Sequence, residues 1–146
     1  MKKNILLLIL CFVTIISSCS KDLLDLSSAE HFDLKTFLNS ENCDTDCGSE
    51  ANCEGKIVKL QGIIDESNVN KESNYFRLVD QNDSEYNMQI DVKESINLEV
   101  FDKVTEFGSK LITIEGLIKG FDASTNFSCE RMFNLTIDDS DNLKLK

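Results

Sequence analysis

Six cysteines, one histidine and two arginines, set in an acid-rich background, are the residues of this 146-residue chain that could do chemistry. The histidine, His31, stands alone, and Ser–His and Cys–His schemes need a base beside the nucleophile. Acids are so frequent that no carboxylate pair stands out for glycosidase-type work. Arg77 and Arg131 are too few to gather a phosphate for nuclease chemistry, and the net charge of -11 repels one. The chain is therefore expected not to be an enzyme. Of the cysteines, Cys43 and Cys47 have zinc-like C-x3-C spacing, but Cys53 follows at a longer interval and Cys129 stands apart. With no second compact pair, no metal site is expected. There is no C-x-x-C-H for haem, and no cofactor is expected. The runs Asp44–Asp46, Asp80–Glu85 and Asp138–Asn142 are oxygen-rich, but none has the glycine and distal glutamate of an EF-hand loop. They read as turns.

The first nineteen residues address location rather than chemistry. Met1-Lys2-Lys3-Asn4 precedes an apolar run, Ile5 to Ile16, then Ser17-Ser18-Cys19. A positive head, apolar middle and small-residue end make a secretory signal. The run is too short for a span, which takes roughly 20 apolar residues. Ile16-Ser17-Ser18-Cys19 resembles the lipobox of bacterial lipoprotein precursors, and a cleaved signal without lipid is the alternative. The resemblance implies removal of residues 1–18, a lipid-carrying Cys19 as the new N-terminus, and membrane lipid as a partner through it. Several acyl chains on one residue anchor stably. Ser20-Lys21-Asp22 resembles the surface-export signals of Bacteroidetes lipoproteins, which implies the cell envelope, lipid-anchored to the outer membrane and facing either the periplasm or the surface. Maturation leaves 128 residues, enough for one domain, and takes the charge from -11 to -13.

Residues 19–54 read as lipidated cysteine, tether and cysteine-rich lead-in. His31 to Leu38 has one helical face at Leu34, Phe37 and Leu38, with Ser28 as its cap. From Gly55 the pattern turns to strands: Ile57–Ile64, Asn74–Asp80 and Glu85–Val92, the last placing Tyr86, Met88, Ile90 and Val92 inward. Ser95–Phe107 predicts a helix with Leu98, Phe101, Val104 and Phe107 on its apolar stripe, stopped by Gly108. Lys110–Ile118 and Arg131–Ile137 predict two more strands. Gly62 and Gly116 sit inside strands, where glycine marks a bulge or tight bend. The order three strands, helix, two strands over residues 55–139, followed by a tail at 140–146, resembles the OB-fold. The phrases Lys56–Gly62 and Lys110–Gly116 look like those of its tRNA-anti-like members. The expected fold is thus mainly β: a five-stranded OB-fold-like barrel with one helix between strands three and four, preceded by a lipoprotein signal and flexible tether. Another small barrel or sandwich is the alternative.

With Cys11 cleaved away and Cys19 lipidated, Cys43, Cys47, Cys53 and Cys129 form an even set, which in an exported domain reads as two disulfides. The OB resemblance brings the entrances of its first and last strands together, which implies Cys53–Cys129 and Cys43–Cys47, with Cys47–Cys129 the next choice. The resemblance also implies a ligand face around its second and third strands, near Tyr75, Arg77, Tyr86, Asn87 and Gln89. The expected role is a membrane-anchored, non-catalytic binding or interaction module for an envelope protein, peptide or glycan. Two alternatives are a nucleic-acid-binding OB domain by fold analogy, which the charge disfavours, and a structural subunit of an envelope complex.

Overall fold

The computed structural model describes residues 22–27, 31–125 and 127–146. The signal segment, Cys11, the lipidation position Cys19 and the proposed cap Ser28 lie outside these residues. Among the described residues no helix is long and apolar enough to cross a membrane.

The chain is mainly β, a seven-stranded mixed sheet. Its strands are β1 (Phe32–Asp33), β2 (Ile57–Asn70), β3 (Tyr75–Val79), β4 (Asn87–Val92), β5 (Leu111–Ser124), β6 (Cys129–Ile137) and β7 (Leu143–Leu145). Two α-helices join them, α1 (Leu34–Leu38) and α2 (Asn97–Phe107). Sheet order is β1-β2-β3-β4-β6-β5-β7, and β2 also pairs with β5, so the five long strands form a ring of pairings. Within the ring β4 and β6 run parallel, and every other pair is antiparallel.

Period-2 alternation explains which side chains face inward. Val58, Leu60 and Ile64 of β2, Phe76 and Leu78 of β3, and Met88, Ile90 and Val92 of β4 are buried together. Ile112, Ile114 and Ile118 of β5 and Leu135 and Ile137 of β6 complete the core. Gly62 and Gly116 occupy inward positions where neighbouring backbone comes too close for a side chain. A Cβ on Gly62 would stand 2.6 Å from the Val79 carbonyl oxygen, and one on Gly116 would meet Leu135 and the Thr136 carbonyl. Both lie on the β2–β5 seam.

Several local expectations change. β2 does not stop at Ile64 but continues to Asn70 across a register shift between Asp65 and Val69. The Asp65 carboxylate takes up Ser67 N–H, Ser67 Oγ and Asn68 Nδ2, so this polar stretch is an irregularity inside a strand. β5 likewise runs past Ile118 to Ser124, paired with the start of β6. α2 begins at Asn97, after a 3-10 turn at Glu94–Ile96, and buries Val100, Phe101 and Val104, whereas Leu98 is 79% exposed. Leu98 lies two residues, about 200° around the helix, from Val100, off the buried face. Gly108, at φ +54°, ends the helix with its N–H on the Val104 carbonyl.

The segments read as lead-in and tail are packed. β1 pairs in parallel with β2, while Leu34 and Phe37 of α1 are fully buried. Asp33, not Ser28, caps α1 by accepting the Thr36 N–H. At the other end β7 pairs with β5 and buries Leu143.

Candidate functional site

Alternation along β3 and β4 turns Tyr75, Arg77, Val79, Asn87, Gln89 and Asp91 away from the core. Register sets Tyr75 opposite Asp91, Arg77 opposite Gln89 and Val79 opposite Asn87. The parallel neighbour β6 adds Asn134 beside Gln89 and Thr136 beside Asp91. Asp91 gathers this strip, accepting from Gln89 Nε2 and Asn134 Nδ2. Asn134 Oδ1 and Thr136 Oγ1 are buried with no hydrogen-bond partner among the described residues.

Two hollows flank the strip, and Asn87 lines both. The first, about 510 Å³, is lined by Arg77, Val79, Asn87 and the irregular segment Ile64–Ser67 of β2. The second is about 520 Å³ and lies between the β3–β4 turn, the start of β6 and the cysteine-rich segment. Its walls carry Leu38, Tyr86, Met132 and Phe133, together with Asp44, Asp46, Glu85 and Glu130. Of the five residues assigned to a ligand face, Arg77 and Asn87 meet at the first hollow and Tyr86 and Asn87 at the second. Tyr75 and Gln89 line neither. Tyr86 precedes β4 rather than pointing inward from it, half-buried, with Lys35 Nζ 5.0 Å from its ring centre. Lys35 also pairs with Asp83 at 2.9 Å; the contact draws the Asp83 carboxyl below its ordinary range and holds the Lys35 ammonium above its own.

The groove wall formed by the cysteine-rich segment is fastened by covalent and ionic contacts. Cys47 is bonded to Cys129 across a sequence separation of 82. This is the pairing held as the next choice, and it excludes the expected Cys53–Cys129 and Cys43–Cys47 pairs. β6 starts at Cys129, beyond the ring, so Cys129 sits over the loop's tip, while Cys53 is fully buried beneath it. There Cys43 Sγ lies 2.8 Å from Cys53 Sγ, and Cys43 also borders the groove. The hydrogen bond to Cys53 and burial push the Cys43 thiol far above its ordinary range.

Beside the disulfide, Arg131 makes a two-pronged pair with Glu54, Nε to Oε1 at 3.0 Å and Nη2 to Oε2 at 2.6 Å. Its third arm reaches Asp122 Oδ1 at 3.0 Å. Glu54 Oε1 further accepts the Ala51 N–H, and Asp122 Oδ2 the Gly48 N–H. The Arg131 guanidinium holds the Glu54 carboxyl below its ordinary range against the opposing effect of burial, and lowers Asp122 as well. Gly120 lies over the Glu54 carboxylate, which occupies the space a side chain would need. Cys47, Cys129 and Asp122 are the one metal-like grouping among the described residues. The two sulphurs are bonded to each other and Asp122 is held by Arg131, so the trio offers no thiolate ligand.

The acidic runs also have assigned work. Buried Asp80 accepts the N–H groups of Lys35 and Asn82, Asp139 accepts that of Asp141, and Asp138 pairs with Lys93. His31 is exposed and far in sequence from the groove-lining residues of β6. Sequence reading missed Met132, Phe133 and Glu130 as groove residues. Only the Cys47–Cys129 bond could have signalled that 38–47 and 129–133 share a wall. No family model matches this sequence, and a search of curated proteins finds no match to it.

Proposed function

We propose that this chain is a lipid-anchored protein of the bacterial cell envelope whose ring of strands is an OB-fold barrel. In this reading it binds a segment of a partner protein in the groove beside Tyr86, without catalysis. Support for the barrel comes from the pairing order β2-β3-β4-β6-β5 returning to β2, with α2 between β4 and β5 and glycines at the two tight approaches. The observation that carries the binding role is the groove itself. Leu38, Tyr86, Met132 and Phe133 supply apolar contact, acids surround them, and a disulfide fixes one wall in advance. A preformed wall reduces the ordering that binding must otherwise impose. The acids complement lysine- or arginine-bearing peptide and oppose nucleic acid.

The test is crosslinked recovery of tagged protein from intact cells, comparing the native chain with Met132→Asp. A partner recovered with the native chain and lost with the variant is expected; the same recovery from both would overturn the groove assignment. For the anchor, fatty-acid labelling should mark the native chain and not Cys19→Ala, and equal labelling would overturn it. Protease added to intact cells then distinguishes a surface-facing from a periplasm-facing domain.

A further inference from the structure

We propose that Cys43 and Cys53 are the site of a second disulfide, nested with Cys47–Cys129 so that one bond closes the base of the cysteine-rich loop and the other ties its tip to β6. The two sulphurs stand 2.8 Å apart, closer than unbonded sulphurs pack and nearer to the ~2.05 Å of a bond. The backbone already holds the two residues side by side, since the Cys53 N–H donates to the Asn42 carbonyl at 2.8 Å. No third histidine, cysteine or carboxylate joins the two sulphurs in a metal-like cluster among the described residues.

The oxidant required is a small or protein disulfide, and thiol–disulfide exchange balances the step. The Cys43 thiolate attacks one sulphur of the oxidant, forming a mixed disulfide and expelling one thiolate. The Cys53 thiolate then attacks the Cys43 sulphur, closing the intramolecular bond and expelling the second. Two electrons pass to the oxidant, and the two cysteine protons end on its two released thiols. Cys43 borders the groove whereas Cys53 is wholly buried, so Cys43 is the residue that meets the oxidant first.

The consequence is a doubly fixed groove wall. Asp44, Thr45 and Asp46 lie between the two crosslinks and line the groove. Their positions are then set by covalent geometry on both sides, whatever occupies the groove.

The test uses the full chain refolded with oxidised and reduced glutathione at a poise where Cys47–Cys129 forms. The protein is denatured in alkylating reagent without reductant and cut after Asp and Glu. Cleavage after Asp44, Asp46 and Glu50 separates the three clustered cysteines. A crosslinked species joining Asn42–Asp44 to Ala51–Glu54, with neither cysteine alkylated, is expected. Intact mass should fall by two hydrogens for each of two bonds. Alkylated Cys43 and Cys53 beside a formed Cys47–Cys129 bond would overturn the proposal, as would a crosslink from either to Cys47 or Cys129.

Discussion

The ring of strands and the cysteine-rich corner are built on opposite principles. In the ring, stability comes from alternating apolar side chains and from two glycines that allow strands to close up. No crosslink or ion pair is needed to explain its shape. At the corner, the lead-in meets the outer end of the β5–β6 hairpin through a disulfide, a close thiol pair and the Arg131–Glu54–Asp122 cluster. Non-directional burial suffices where the strands already dictate geometry. Where a loop must be held against a hairpin that outruns the core, directional and covalent contacts take over. The groove lies on that boundary, with the β3–β4 turn on one side and the fastened loop on the other.

The largest effect expected is at the corner. Cys47→Ser with Cys129→Ser frees a loop spanning a separation of 82, and chain entropy assigns such a bond about 4.5 kcal/mol. Urea unfolding measures it, and a loss below ~1 kcal/mol would mean that Arg131 and its partners hold the corner unaided. The next prediction asks whether the two regions fold as one. Phe76 of β3 and Phe37 of α1 are both fully buried. Truncating either to alanine should cost ~4 kcal/mol and shift the same single transition. If Phe37→Ala leaves that transition in place, the lead-in is a separate unit docked on the ring. Should the Cys43–Cys53 bond form, its short loop contributes roughly 3 kcal/mol on the same chain-entropy scale. Cys43→Ser with Cys53→Ser would then fall below the first variant in its effect.

The same contrast explains what was legible in the sequence. Met88-Gln89-Ile90-Asp91-Val92 carries its inward face in its spelling, and Gly62 and Gly116 announce close approach, so the ring's strands, their order and α2 could be read. Asp65-Glu66-Ser67-Asn68 could not be read as strand, because its side-chain hydrogen bonds form only once β3 lies alongside. The corner could be read only as far as a choice between pairings. Cysteine counts gave an even set, but pairing depends on how far the β5–β6 hairpin extends past the core, and no local pattern encodes that length. The candidate face fared likewise. Arg77 and Asn87 follow from alternation, whereas Met132 and Phe133 reach the groove, and Lys35 reaches the Tyr86 ring, through contacts distant in sequence.

Within the ring, Gly116→Ala tests the tight approach on its own. The added methyl meets the Leu135 side chain and the Thr136 carbonyl, and overpacking of this kind costs about 1–3 kcal/mol. An unchanged unfolding midpoint would mean that the seam can open to take a side chain, and that glycine there is not what closes the ring.

The smallest effect belongs to the corner's ion pairs and is best separated by pH. Glu54 is held below its ordinary value chiefly by Arg131, so its folded form prefers the carboxylate more than its unfolded form does. The folded state then binds fewer protons than the unfolded state, and stability falls as acid is added. Its contribution is complete above the unfolded carboxyl's value of 4.5 and is lost as pH drops from there through the folded value. Glu54→Gln removes that titration while keeping a hydrogen-bond acceptor near Arg131. The variant should be less stable than the native chain at pH 7, and the difference should shrink as pH falls below about 4.5. Asp122, lowered by the same guanidinium, still titrates in the variant, so some acid sensitivity should remain. A pH-independent difference between the two proteins would assign Glu54's role to packing against Gly120 rather than to its charge. The corner would then be held, like the ring, by close fit and by its crosslink rather than by ion pairing.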